Sequence, residues 1–228
     1  MNHSLKSRFS LTGNQLKILA MITMTCDHVG LQLLPQWKFL RIVGRLALPI
    51  YAYMIAEGCL HTRNRRSYLL RLVSMAAVCQ LVYYFAMGSL YMCILVTFSL
   101  SICLIYALDY ARKQPTWKAA LLCQSVVALV CYLCIILPRQ LPGFEVDYGI
   151  FGVLLPVFVF FGPYKPLFLS AGLFLLAYPI GGYQWWSFAA VPFLMLYNGQ
   201  RGKHNISALF YWYYPVHLAV IYLLSLIL

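Results

Sequence analysis

The sequence predicts an all-α, polytopic helical membrane protein, and three observations carry that expectation. Of its 228 residues, 63% are hydrophobic and only 10% charged, whereas about a quarter of a soluble globular chain is charged. Apolar runs follow one another with little between them, and many approach the roughly 20 residues that a helix needs to cross a bilayer. These runs are continuous rather than alternating, which argues against a closed outer-membrane barrel. Finally, the basic residues gather in alternate connections, the asymmetry that orients helical membrane proteins.

Nine spans are expected, at about 14–34, 40–60, 68–87, 90–109, 117–137, 148–162, 166–180, 184–198 and 206–227, the ends being set only to within several residues. Proline and glycine punctuate them, as at Gly162-Pro163 and Gly181-Gly182. Spans six to eight are short and carry Pro156, Pro179 and Pro192; one of them is expected to be re-entrant or broken, with neighbouring helices satisfying the freed backbone. With the N-terminus in the cytoplasm, the inner side holds Lys6, Arg8, Arg63, Arg65, Arg66, Arg112, Lys113, Lys165, Arg201 and Lys203. The outer side holds Lys38 and Arg139, the latter near Glu145 and Asp147, while Arg41 and Arg45 open the second span. That count places the N-terminus inside and, for an odd number of spans, the C-terminus outside; an eight-span count would move the C-terminus. No cleavable signal peptide is expected, because residues 1–13 are polar and basic and the first apolar segment carries Asp27 and His28. The whole chain, 1–228, reads as a single integral-membrane domain.

The net charge of +12 is assigned to cytoplasmic loops, and with no basic soluble domain no nucleic-acid partner is expected. Eight cysteines all fall in apolar spans and are read as small apolar packing groups. Cys131 and Cys134 form a C-x-x-C, but without a second ligand pair it is read as packing, and no metal is expected.

Against this apolar background the ionisable residues stand out, since a charged group in a span costs about 2.5–3.5 kcal/mol on insertion scales. Lys17 and His28 are eleven residues apart in the first span, hence on one face of a helix and roughly 16 Å apart along its axis. Lys17 falls near the cytoplasmic end, Asp27 and His28 beyond the middle. Arg45 enters the antiparallel second span at the depth of Asp27, so the two are expected to pair, which lowers the cost of burying both. Glu57 falls at the level of Lys17 and is expected to pair with it or with Arg71. His217, near the middle of the last span, would approach His28 if the first and last helices pack together. Structural roles compete with these: an ion pair that only holds the first hairpin, a lysine that snorkels to headgroups, or a satisfied core histidine.

A histidine of near-neutral pKa can act as general base, taking a proton from an amine or hydroxyl that attacks an acyl carbon. Cationic side chains at the inner face suit a phosphate-bearing donor from the cytoplasm. The base, roughly 16 Å deeper, would then meet the thioester of a donor such as acetyl-CoA, with the acceptor entering from the outer side. No zinc-ligand spacing, nucleotide-binding glycine loop or nucleophile elbow appears, which argues against a metalloprotease, an ATPase or an ordinary esterase.

At these same residues the chain resembles the TraX family of membrane proteins. The resemblance is carried by L-T-G-N-Q-L-K at 11–17, D-H-V-G at 27–30 and L-R-I-V-G-R-L-A-L-P-I at 40–50. It continues through E-G at 57–58, H-T-R-N at 61–64, Y-L-L-R-L at 68–72, L-Y-N-G at 196–199, R-G at 201–202 and Y-Y-P-V-H-L at 213–218. Lys17-x10-His28 is also similar to the Arg/Lys-x10-His signature of the wider acyltransferase-3-like transmembrane acyltransferases. The resemblance implies a bacterial cytoplasmic (inner) membrane location and acetyl transfer from acetyl-CoA, to a pilin N-terminus in the family's founding member. It implies His28 as base beside Asp27, and Lys17, Arg71, Asn198 and Arg201 as donor-binding residues. Arg45, Glu57 and His217 would organise the site. Residues 88–180 carry no matching motif, so the resemblance does not fix pilin as the acceptor, which stays an unidentified extracytoplasmic amine or hydroxyl, with a pilin-like peptide one candidate. Two rival classes stay open: a non-enzymatic assembly factor for a pilus or conjugation machine, and a small-solute transporter using Asp27, His28 and Glu57 as an ion path.

Overall fold

The structure, a computed structural model, describes residues 10–203 and 206–227; Lys6 and Arg8, counted above as inner charges, lie outside the described residues. Each of the nine apolar segments is helical. The first is α1 (Gly13–Gln32), started by a capping box in which the Thr12 side chain accepts from Gln15 N–H while the Gln15 side chain accepts from Thr12 N–H. The second is divided by a turn at Arg45 and Leu46 into α2 (Lys38–Gly44) and α3 (Ala47–His61). Then come α4 (Arg65–Met87), N-capped by Asn64 and ended by Gly88 in the left-handed region, α5 (Ile94–Lys113), and α6 (Trp117–Cys131), N-capped by Thr116. A π-helical turn at Tyr132–Ile136 carries α6 into α7 (Leu137–Gln140). After them come α8 (Gly149–Phe161), α9 (Lys165–Ile180), a 3-10 helix (Gly182–Ala189) leading into α10 (Ala190–Met195), and α11 (Ser207–Ser225). Two-residue strands, β1 (Tyr91–Met92) and β2 (Glu145–Val146), pair in parallel.

Among the described residues, four helical stretches are long and apolar enough to cross a membrane: Lys38–His61, Arg65–Phe85, Ile94–Lys113 and Trp117–Gln140. Gly149–Phe161 and Lys165–Ile180 are apolar but shorter. Large apolar side chains on α4 (Leu70, Val78, Leu81, Phe85) and α6 (Leu121, Leu122, Leu129) are exposed on the protein surface. A row of such groups is stable only against lipid or another apolar partner. This is a helical membrane protein. The segment expected at 184–198 is the broken one, split between a 3-10 helix and the six-residue α10.

The helices group into two compact units, one holding residues through Met54 together with those from Pro166 onward, the other Ile55–Lys165. In the first, α1 packs against α2 and α11, and α2 also touches the 3-10 helix. Leu16, Ala20, Ile50, Leu169, Leu173 and Leu176 are fully buried there. In the second, α5 is flanked by α4, α6 and α8, and Leu104, Val130 and Val153 form a buried cluster. Ser101 Oγ donates to the Val153 carbonyl at 2.8 Å, and Tyr91 OH to Asp147 Oδ1 at 2.5 Å.

Candidate functional site

The site is assembled in the first unit, where α1 and α2 approach closely because two glycines remove side chains from the contact. A Cβ at Gly44 would stand 2.3 Å from the Cβ of Asp27, and one at Gly30 2.7 Å from the Cβ of Leu40. With that space clear, Asp27 receives two guanidiniums: Arg45 Nη2 donates to Oδ1 at 2.5 Å and Arg41 Nη1 to Oδ2 at 2.8 Å. The Asp27–Arg45 pair is the expected one. Arg41, one helical turn earlier, was not singled out by sequence; its i,i+4 spacing from Arg45 was the available signal. Arg45 Nη1 also donates to Gln184 Oε1 at 3.3 Å, so the 3-10 helix is tied to the same carboxylate through one arginine. Two positive charges on one carboxylate leave a local excess of positive charge with its geometry fixed.

His28, the next residue, faces α11 instead. Its Nδ1 lies 3.0 Å from the Met24 carbonyl and 3.2 Å from Nε2 of His217, whose own Nδ1 lies 2.8 Å from the Tyr213 carbonyl. A carbonyl can only accept, so in each neutral ring Nδ1 carries the hydrogen. His217 Nε2 is then an acceptor, the single His28 Nδ1–H is shared between it and the Met24 carbonyl, and His28 Nε2 keeps its lone pair. The Met24 carbonyl fixes the tautomer of His28 and the Tyr213 carbonyl that of His217. The ring of His217 stacks on Tyr213 (centroids 5.1 Å apart) and meets Tyr214 edge-on. Thr25 Oγ1 and Tyr213 OH, 2.5 Å apart, tie α1 to α11 one turn away. The first and last helices therefore pack as the proximity of His28 and His217 required.

At the other end of α1, Lys17 Nζ sits 5.1 Å from the centre of the Phe210 ring, and Arg201 is near enough for its charge to act on Lys17. Asn198 is exposed; its side chain donates to Ser10 Oγ at 3.4 Å and accepts from Gln200 N–H at 2.9 Å. The Gly13 and Asn14 amides donate to the carbonyls of Gln200 and Arg201 at 2.8 and 2.9 Å. Free helix N-termini attract anions, but here loop carbonyls and the capping box occupy the first N–H groups. Among the described residues, Lys17 and Arg201 lend this end cationic character.

Glu57 and Arg71 belong to the second unit. Glu57 is buried and forms ion pairs with Lys165 and, at 3.4 Å, with His61, which corrects the expected pairing with Arg71. Arg71 is exposed, and its Nε donates to the Ser67 carbonyl at 3.1 Å on its own helix. Depth along a span fixes level but not bearing, and Lys165 arrives from a segment that offered no motif. A comparable pair of cations, Arg65 and Lys113, meets Asp109 at 2.7 and 2.9 Å.

Gln184 and Ser187 were also missed. They are 2% and 0% exposed, and Gln184 Nε2 and Ser187 Oγ find no hydrogen-bond partner among the described residues. Their segment, G-G-Y-Q-W-W-S-F, is dominated by interfacial aromatics, and the three-residue spacing that puts the two polar residues on one side of the 3-10 helix was the available signal.

Comparison with known proteins places this arrangement. The chain is 27% identical over 253 residues, 91% of its own length and 93% of the relative's, to "Probable fimbrial assembly protein FimC, serogroup H1" of Dichelobacter nodosus. A 38-residue stretch, 17% of this chain and 15% of the relative, is 50% identical to an uncharacterized protein of Rickettsia prowazekii (strain Madrid E). No solved structure matches. The family model described as TraX protein matches residues 12–225, from the capping threonine of α1 to the end of α11, and the chain belongs to the TraX family.

Proposed function

We propose that the protein is a membrane-bound acetyltransferase that moves an acetyl group from cytoplasmic acetyl-CoA to an amine or hydroxyl of an extracytoplasmic acceptor. The observation that carries this reading is the histidine pair: two backbone carbonyls and His217 fix His28 with Nε2 unprotonated, as a general base must be. Arg41 and Arg45 hold Asp27 beside it, and Lys17 with Arg201 supplies a cationic end roughly 16 Å away along α1. In this scheme Lys17 and Arg201 bind donor phosphates. His28 Nε2 takes the acceptor's proton as that acceptor attacks the thioester carbonyl, then returns it to the departing CoA thiolate. The chain sits in the bacterial cytoplasmic membrane with its N-terminus inside and nine spans, the broken segment contributing the eighth. Asn198, occupied by turn contacts, is a weaker donor contact than Lys17 and Arg201, and Arg71, bonded to its own helix in the second unit, takes no part in this scheme.

The name of the Dichelobacter relative favours a second reading, a fimbrial assembly factor without catalysis; a pilin-like peptide as acceptor would join the two. The experiment that separates them measures acetyl-CoA binding and slow hydrolysis by the purified detergent-solubilised protein, with Lys17→Ala and His28→Ala alongside. The enzyme reading expects weakened binding in the first variant and binding without turnover in the second. A folded wild-type sample that does not bind CoA overturns it in favour of the assembly factor.

A further inference from the structure

The 3-10 helix places two buried donors with nothing to donate to at the edge of the charged cluster. Arg45 Nη1 donates to Gln184 Oε1; because a guanidinium can only donate, that contact fixes which end of the amide faces the arginine. Nε2 therefore points elsewhere with both hydrogens unused. Ser187 follows three residues later, one turn of a 3-10 helix, so its hydroxyl lies on the same side. Both side chains are almost wholly buried, and neither Nε2 nor Oγ is bonded. Buried polar atoms are nearly always satisfied, and an exception calls for an explanation, bound water or a group from outside the chain among them. Two donors on one side of a helix suit an oxygen with two lone pairs, a carbonyl or the oxyanion that forms from it. Gln184 is one hydrogen bond from Arg45, Arg45 is one from Asp27, and Asp27 adjoins His28.

We propose that Gln184 Nε2 and Ser187 Oγ form a two-donor subsite for the carbonyl oxygen of the transferred acyl group. The inference rests on the acyltransferase reading. As the acceptor's nitrogen or oxygen bonds to the acyl carbon, His28 Nε2 takes the acceptor's proton. The carbonyl π pair moves to oxygen, where the amide and hydroxyl hydrogens of Gln184 and Ser187 hold the new charge. Collapse restores the carbonyl and breaks the carbon–sulfur bond, and the thiolate takes the proton from His28.

The test compares two non-hydrolysable thioethers of CoA on the full-length protein in detergent: the acetonyl thioether, which keeps a carbonyl, and the propyl thioether, which lacks it. Wild type is expected to bind the acetonyl compound about tenfold more tightly, the value of one or two hydrogen bonds. Gln184→Leu and Ser187→Ala are expected to abolish that preference while still binding both compounds. Ser187→Ala removes a hydroxyl that contacts no described partner, so its fold, read by thermal unfolding, is expected to match wild type. Binding of both thioethers by wild type without preference, or a preference retained in Ser187→Ala, overturns the subsite and leaves the acyltransferase reading standing. Failure of a folded wild-type sample to bind either compound overturns both.

Discussion

His28 Nδ1 lies 3.2 Å from His217 Nε2, while the Met24 carbonyl, 3.0 Å from the same Nδ1, keeps the hydrogen there and leaves Nε2 basic. That makes His217 a positioning residue rather than a second base. His217→Gln keeps an acceptor oxygen for His28 Nδ1–H and is expected to retain most acetyl transfer. His217→Phe is expected to lose about tenfold in kcat with KM for acetyl-CoA unchanged, whereas His28→Ala loses about a hundredfold or more, the usual worth of a general base. Steady-state kinetics on the three variants checks the order. Equal activity in His217→Phe and wild type would remove His217 from the mechanism.

Asp27 balances two guanidiniums, and its side chain is only 16% exposed. Replacing it with alanine takes from both partly buried cations the carboxylate they share, a loss of about 3 kcal/mol or more. Arg41→Ala is milder, about 1 kcal/mol, because Arg41 is the more exposed partner and Arg45 keeps its contact. Thermal unfolding in detergent is expected to rank Asp27→Ala well below Arg41→Ala.

Gly44→Ala puts a methyl where Asp27 stands. A Cβ 2.3 Å from another carbon forces α1 and α2 apart, at about 1–3 kcal/mol for overpacking of this kind. Activity is expected to fall further than stability, since the same shift misplaces Asp27 and His28. A second-site Asp27→Ala change keeps the obstructing Cβ and removes the shared carboxylate, so it is expected to add to the stability loss rather than relieve it.

Glu57→Gln separates support from catalysis. Glu57 holds Lys165 and His61 within its own unit, so the variant is expected to lose about 2 kcal/mol of stability while the residual folded enzyme keeps its CoA affinity. A selective loss of CoA binding at unchanged thermal stability would return Glu57 to the donor site.

Much of this was legible in the sequence because apolar spans make depth countable. Asp27 and Arg45, or His28 and His217, share a level on helices whose order and direction follow from the loops, and the structure pairs them. Bearing around a helix is not countable in the same way. Glu57 had partners at its level on several helices, and the one chosen, Lys165, sits at the head of a segment with no motif. Gln184 and Ser187, three residues apart, share a side on an α-helix or a 3-10 helix alike, and what hid them was the run of interfacial aromatics around them.

If the protein is the acyltransferase proposed above, the loop at residues 197–202 has a consequence for how long a donor it accepts. By fastening the Gly13 and Asn14 amides to Gln200 and Arg201, it fixes the zero of a ruler on which Lys17 and His28 are two marks. Each residue added between those marks would lengthen the scale by about 1.5 Å and swing His28 through about 100°. Only whole turns would keep both marks facing the same way. The reach of the site is therefore quantised in steps of about 5.4 Å, and a donor arm of intermediate length would find no single-residue adjustment that fits it.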